Sequence, residues 1–266
     1  MTEVEPTYRS LMLFFVAFHP SQEEVNCLNS CLISLPDTIG YSVVVNDYQP
    51  GQPIDDLAPN ADFWLTNSDN PGYGIAVNRL AKALSYYPKY LGVLNTDLYW
   101  RKGAFEKMMA WMDQNPDVLL ATPRIFDPFG VEQKLCKRNP TVLGLLSRRF
   151  IPHWLKPGWL KQYDRWYVMD DCSYGDEFDV PYLSGCCMLM QSEPFFRIGG
   201  FDERYFLYLE DADLTREMSL LGRCQHFSGI SVVHSWGRGS YKSLRLMLVN
   251  LQSAWLYFRK WGWVLW

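Results

Sequence analysis

Between Gly199 and Asp213 the chain reads GGFDERYFLYLEDAD, which gathers Asp202, Glu203, Glu210, Asp211 and Asp213 into one short stretch. Carboxylates flanked by Phe and Tyr rings are candidates for proton transfer, because restricted water access raises a carboxylate pKa toward that of a general base. The dipole of a following helix also favours acids in its first turn, which explains some of the five but not readily all. A second group, Asn95-Thr96-Asp97, directly follows the apolar run Tyr90–Leu94. A carboxylate at a strand terminus can hold a divalent cation, and such a cation can neutralise a diphosphate; the same residues are also good turn formers. A third group, Asn70-Pro71-Gly72-Tyr73-Gly74 with Asn78, joins a strand to a helix. Its glycines admit close backbone approach to a ligand, and an Asn there can cap the helix or bind polar substrate groups, although a plain connection would use the same residues. The spacing fits neither a Gly-x-Gly-x-x-Gly fingerprint nor a Walker A loop. His234, closing the apolar run Ile230–Val233, is either structural or an imidazole ligand able to share an ion with a strand-end carboxylate.

These groups need strand ends and helix starts to hold them. Apolar runs at Leu11–Phe18, Tyr41–Val45, Phe63–Thr66, Tyr90–Leu94 and Val118–Ala121 alternate with amphipathic stretches over Glu23–Ser34, Ile75–Tyr86 and Gly103–Gln114. The alternation predicts an α/β domain with a mainly parallel central sheet flanked by helices, and in such sheets ligands bind at the carboxyl ends of strands. Further along come predicted strands at Phe178–Leu183, Cys186–Gln191 and Gly229–His234, a helix over Glu210–Leu221 and a terminal helix from Ser243. The segment 134–166 differs: it is basic, aromatic and interrupted by prolines, and reads as a flexible excursion with a short helix over Val142–Phe150. The expected organisation is a catalytic domain over 1–241, containing that excursion, and a basic, Trp-rich C-terminal helix over 242–266.

The chain has 266 residues, 48% hydrophobic and 16% aromatic, with 11 Trp, enough for a substantial core with many rings left for the surface. Its formal charge of −4 conceals an asymmetry: the 49 residues after Glu217 hold six basic residues, no acid and five of the Trp. A basic, Trp-rich end suits an anionic membrane surface or a lipid-linked substrate; packing on an acidic body would explain it too. The acidic body and the lack of a recognisable motif argue against nucleic acid. The N-terminus lacks the features of a signal peptide, no apolar run approaches ~20 residues, and seven Cys without a Cys-x-x-Cys pair read as reduced thiols. Cys27 and Cys31 are expected to pack in the core. Together these features predict a cytoplasmic location.

In order along the chain, NPGYGIAVN at Asn70–Asn78, LGVLNTDL at Leu91–Leu98, YLSGCCMLM at Tyr182–Met190, GGFDERYFLYLEDADLTREMSLLG at Gly199–Gly222 and VVHSWGRGS at Val232–Ser240 resemble the motifs of family 2 glycosyltransferases. Within that family of nucleotide-sugar-dependent enzymes, they are most similar to rhamnosyltransferase-like enzymes of bacterial surface-polysaccharide assembly. The resemblance runs from about Leu11 to Trp263 and implies the GT-A fold, a Rossmann-like nucleotide-sugar-binding sheet.

The resemblance also implies roles. Asn95-Thr96-Asp97 matches the family's Asp-x-Asp motif, making Asp97 the carboxylate that holds Mg²⁺ or Mn²⁺, with Asn95 and Thr96 near the donor. His234 matches a His that completes the metal site in some relatives. Asp211 matches the acid of a Glu-Asp motif, the general base toward the acceptor hydroxyl, with Glu210 the second candidate. Val45-Asn46-Asp47-Tyr48 stands where the family usually has Val-Asp-Asn-x-Ser, so Asn46 and Asp47 are expected on the donor side with Asn70, Gly72, Gly74 and Asn78. Gly185, Asp202 and Trp236 are expected on the acceptor side. The implied partners are a nucleoside-diphosphate sugar, dTDP-rhamnose favoured, and a glycan or polyprenyl-diphosphate-linked acceptor at the cytoplasmic face of the inner membrane. Two rivals stand beside this reading. A sugar nucleotidyltransferase usually needs a basic, Gly-rich loop after the first strand, where His19-Pro20-Ser21-Gln22-Glu23 has no glycine. A non-catalytic carbohydrate-binding protein would have little use for Asp97, Asp211 and His234 together.

Overall fold

A computed structural model describes residues 8–235 and 244–266. The nine strands are β1 (Leu11–Ala17), β2 (Ile39–Val45), β3 (Phe63–Thr66), β4 (Tyr90–Leu94), β5 (Leu98–Trp100), β6 (Val118–Phe126), β7 (Phe178–Asp179), β8 (Cys187–Gln191) and β9 (Arg223–His234). The helices are α1 (Gln22–Leu32), α2 (Tyr73–Ala83), α3 (Ala104–Gln114), α4 (Val142–Phe150), α5 (Gly158–Tyr167), α6 (Ser192–Arg197), α7 (Glu210–Ser219) and α8 (Leu244–Trp261). One sheet carries all the strands in the order β3-β2-β1-β4-β8-β6-β9-β5, with β7 also paired to β9.

Every residue of β2 and β4 is buried, as expected of strands covered on both faces. The pairs β3-β2, β2-β1 and β1-β4 are parallel. Beyond them β8 enters antiparallel between β4 and β6, and β6 runs parallel to β9, so the sheet is parallel in its first half and mixed in its second. One face packs against α1 and α3 around Leu28, Phe105 and Met108. The other packs against α2, α6 and α7 around Leu80, Phe195 and Met218. A smaller cluster of Tyr205, Leu209, Ala212, Tyr257 and Phe258 fastens α8 to α7.

Several expectations shift. The Phe178–Leu183 strand contracts to Phe178–Asp179, because Pro181 lacks an N–H to donate and Tyr182 pairs instead with Lys137. The Gly229–His234 strand extends back to Arg223, since buried Gln225 donates to Asp179 and the His226 ring meets the Tyr174 carbonyl, which makes these polar residues compatible with the sheet interior. The excursion holds α4 as expected but also α5, tied to α4 by Asp164, which accepts from Ser147 and Lys156. Cys31 lies in the core, whereas Cys27 is exposed, since it falls on the outer side of α1. All seven thiols are free.

Candidate active site

Parallel pairing brings the carboxyl ends of β1, β2 and β3 to the same edge of the sheet. After β2, Asn46 donates its backbone N–H to Ala17 at the end of β1. Its buried amide accepts from Asn67 at 2.7 Å and donates to Asn70 at 3.2 Å, while Arg79 donates to Asn67. The next residue, Asp47, has φ 53° and contacts the ring of His19, itself at φ 49°, at 2.9 Å. Two non-glycine residues held in the left-handed region, side by side at the ends of adjacent strands, mark an over-determined backbone of the kind found at ligand sites. Gly72, at φ 104°, is required by a close approach: a Cβ there would lie 2.5 Å from the carbonyl oxygen of Phe206. That contact, and the bond from the Tyr73 N–H to the same oxygen, joins the Asn70–Gly74 turn to the loop leading into α7.

Asp97 and His234 meet because β5 pairs antiparallel with β9, with Leu98 opposite His234. The Asp97 carboxylate lies 3.3 Å from Nε2 of His234, and among the described residues both ring nitrogens of this buried histidine have no hydrogen-bond partner. An imidazole without a hydrogen bond beside a carboxylate is a donor set for Mg²⁺, Mn²⁺ or a related ion. Among the described residues no third His, Cys, Asp or Glu joins the pair. A cation held there would therefore need oxygens from a substrate or from water, as Mg²⁺ sites commonly do.

Asp211 and Glu210 begin α7, whose entry passes through two consecutive left-handed residues, Tyr208 and Leu209. One oxygen of Asp211 accepts the Gly185 N–H at 2.9 Å, and the other accepts the Ala212 N–H at 2.9 Å. A Cβ on Gly185 would come within 3.2 Å of the Asp211 side chain, so the glycine lets the loop close on the carboxylate. The neighbouring residue, Cys186, accepts the Asn95 N–H at 2.9 Å. Gly185 and Cys186 thus couple the start of α7 to the Asn95–Asp97 turn through adjacent peptide groups. Glu210 is buried, and among the described residues its Oε2 has no hydrogen-bond partner. Burial, and secondarily the charge of Asp211, push its carboxyl up to about 8. Tyr73, whose hydroxyl donates to the Gly185 carbonyl at 3.3 Å, is also raised well above its ordinary value by burial and then by Glu210.

The five crowded carboxylates separate in space. Glu210 and Asp211 face the Gly185 loop, whereas Asp213 accepts from Lys260 and Trp261 of α8. Asp202, expected on the acceptor side, is clamped by Arg204 at 2.5 Å and lies 3.6 Å from Lys260. Glu203 pairs with Asn78 and Lys82. Asn78, expected near the donor, bonds Phe201 through both its amide nitrogen and oxygen and so fixes the loop before α7. Gly74 permits that packing: a Cβ there would sit 2.9 Å from Phe201. Trp236 lies outside the described residues. Tyr73 and Tyr182, which enclose the two acids, escaped the sequence reading; their place inside the NPGYG and YLSGCC motifs is the signal that could have found them.

Comparison with known proteins follows this geometry. Residues 43–196 match the family described as Glycosyl transferase family 2. The "N-acetylglucosaminyl-diphospho-decaprenol L-rhamnosyltransferase" of Mycobacterium tuberculosis (strain ATCC 25618 / H37Rv) is 28% identical over 219 residues, covering 74% of this chain and 69% of that protein. "Rhamnosyltransferase WbbL" of Escherichia coli (strain K12) is 42% identical over 48 residues, 18% of each chain. Among solved structures, the mannosyltransferase PcManGT from Pyrobaculum calidifontis, in complex with GDP-Man and Mn²⁺, superposes with a TM-score of 0.62 at 13% identity. That match covers 96% of this chain and 65% of the other. GalNAc-T7 with UDP, GalNAc and Mn²⁺ gives a TM-score of 0.65 at 12% identity, covering 97% and 48%. The chain therefore spans less than two thirds of either solved chain, and the likeness is one of fold.

Proposed function

Because the chain belongs to glycosyl transferase family 2, we propose that this glycosyltransferase moves a sugar, with rhamnose favoured, from a nucleoside-diphosphate donor such as dTDP-rhamnose to a lipid-linked glycan. The acceptor class follows the rhamnosyltransferase relative, whose name specifies a diphospho-decaprenol-linked sugar. The setting is assembly of a bacterial surface polysaccharide. The observation that supports the reading is the Gly185–Cys186 link, which ties the candidate base Asp211 to the Asn95–Asp97 turn, whose Asp97 meets His234.

Asp211 takes the proton of the acceptor hydroxyl while that oxygen attacks the anomeric carbon. The bond from the anomeric carbon to the donor diphosphate breaks, its electron pair leaves with the nucleoside diphosphate, and the configuration inverts. Asp97 and His234 would hold Mg²⁺ or Mn²⁺, which would supply positive charge to offset that of the departing diphosphate. Burial raises the Glu210 carboxyl to about 8, so it stays protonated at neutral pH and adds no second charge next to Asp211. Asn46, Asp47, Asn70 and Gly72 form the nucleotide side, with Asn95 and Thr96 between it and the metal pair.

The enzyme acts as a peripheral protein on the cytoplasmic face of the inner membrane. Among the described residues no helix is long and apolar enough to cross a membrane. Trp154, Trp159 and Trp255 are exposed on the α4–α5 segment and α8, near Arg149, Lys161 and Arg259. Rings with basic neighbours suit an anionic lipid surface.

The test is a screen of nucleotide sugars for Mn²⁺-dependent hydrolysis and transfer, with dTDP-rhamnose first. Asp211→Asn should retain donor binding and lose roughly 10²–10⁴-fold in transfer; undiminished transfer would remove Asp211 from its role.

A further inference from the structure

A cavity of about 290 Å³ is lined by His234, by Gln133 and Leu135 in the segment after β6, and by residues of α4 and α8. Lys137, Arg148 and Arg149 line it together with Tyr167, Tyr182 and Ser184, and among the described residues no Asp or Glu lines it. Among the described residues neither Lys137 nor Arg148 forms an ion pair. What they have instead are aromatic faces: the Lys137 ammonium stands 4.2 Å from the Tyr182 ring centroid and the Arg148 guanidinium 5.8 Å from that of Tyr167. Withdrawing an ammonium from water is costly, and a ring quadrupole offsets only part of that cost. The site is thus electrostatically incomplete until an anion enters. Burial lowers the Lys137 pKa, and the charge of Asp211 acts in the opposite sense, so the ammonium is within electrostatic reach of the candidate base.

We propose that this cavity is the diphosphate subsite of the acceptor, with the phosphates between Lys137 and Arg148 and the attached sugar directed toward Asp211. The assignment rests on the transfer to a lipid-linked acceptor proposed above. A diphosphate also occurs in the donor, and His234, which lines this cavity, would face it through the metal, but none of Asn46, Asp47, Asn70, Asn95 or Thr96 lines the cavity. It opens instead on the side of β8 away from β1 and β2, beside the two helices that expose apolar side chains. Leu146 and Phe150 of α4, and Leu248, Leu251 and Trp255 of α8, are all exposed. A charged pocket bordered by an apolar surface fits an amphiphile with an anionic head and a hydrocarbon tail.

Geranyl diphosphate serves as the acceptor probe and dTDP with Mn²⁺ as the donor probe, each titrated by calorimetry into the full chain and into Lys137→Met and Arg148→Met. The expected result is a loss of tenfold or more in geranyl diphosphate affinity for both variants, dTDP affinity unchanged, and binding recovered in Lys137→Arg. Equal geranyl diphosphate binding by parent and variants overturns the subsite, and so does a loss confined to dTDP, which would assign the cations to the donor. Thermal unfolding of each variant separates misfolding from lost contact, with Lys137→Arg as the folded control. If geranyl diphosphate binds as expected and no nucleotide sugar is hydrolysed, the subsite stands and the transfer reading falls.

Discussion

Lys260 of α8 reaches Asp213 of α7 at 2.8 Å, and Asp213 is only 2% exposed. The same ammonium lies 2.8 Å from Glu217, and the Trp261 indole N–H donates to the other oxygen of Asp213 at 2.6 Å. A nearly buried carboxylate is therefore satisfied by a helix that follows it by some thirty residues, and α8 is fastened to α7, the helix that begins with Glu210 and Asp211.

Lys260→Met should leave Asp213 without its counter-charge and cost ~2–3 kcal/mol, below the full range for a buried pair because Lys260 is partly exposed. Burial already raises the Asp213 pKa in the native state, and losing Lys260 raises it further. A raised carboxylate pKa opposes folding once pH exceeds the unfolded value, and protonation relieves it. The stability gap between parent and variant should accordingly be smaller at pH 5 than at pH 8. Urea midpoints at both pH values measure it, and a gap independent of pH would deny Asp213 this role.

Glu210 gives a second pH dependence. Its folded-state value of about 8 lies above that of an unfolded Glu, so stability is lost as pH climbs from the unfolded pKa toward 8. Glu210→Gln removes that loss: relative to the parent it should gain ~1–3 kcal/mol between pH 5 and pH 8.5. Transfer should stay within about tenfold of the parent, since a neutral amide replaces a neutral acid. Parallel stability curves, or loss of turnover as deep as that of Asp211→Asn, would contradict the assignment.

The Asp97–His234 pair predicts metal dependence. After EDTA treatment, added Mn²⁺ should restore transfer, and Asp97→Ala or His234→Ala should raise the Mn²⁺ concentration for half-maximal activity by about tenfold or more. Activity indifferent to EDTA would exclude the pair as a metal site.

The exposed rings predict membrane affinity. Trp154→Ala with Trp159→Ala, at positions 77% and 62% exposed, should reduce flotation with anionic liposomes about tenfold without changing the melting temperature. Equal flotation would place the membrane contact elsewhere.

The sequence carried much of this arrangement, and its omissions have physical causes. Uninterrupted apolar runs made β2 and β4 readable, because strands covered on both faces need no alternation. The placement of Asp97 just after a strand and of Asp211 at a helix start was readable, because both flank regular elements with clear apolar patterns. Which of the neighbouring acids faced the cleft was not, since Asp213 and Asp202 are diverted by Lys260, a partner distant in sequence. The first half of β9 was hidden by Gln225 and His226, whose burial depends on acceptors in the 174–179 segment. The prolines at 152 and 157 suggested irregular chain, yet Pro157 immediately precedes α5, where a missing N–H costs little. Lys137 became noticeable only once the cavity around it was seen to lack acids.

One contact bears on how the enzyme is made. The N–H groups of Val142 and Leu143, in the first turn of α4, donate to the carbonyls of Val264 and Leu265, each at 2.9 Å. They close a loop of more than a hundred residues, and on a ribosome they cannot form until the chain has emerged past Leu265. Strands β1 to β4 need nothing beyond Leu94 to pair among themselves in parallel. The β1–β4 half of the sheet can therefore begin to assemble early in synthesis, whereas the wall bearing Arg148 is sealed only once α8 and the residues after it have emerged.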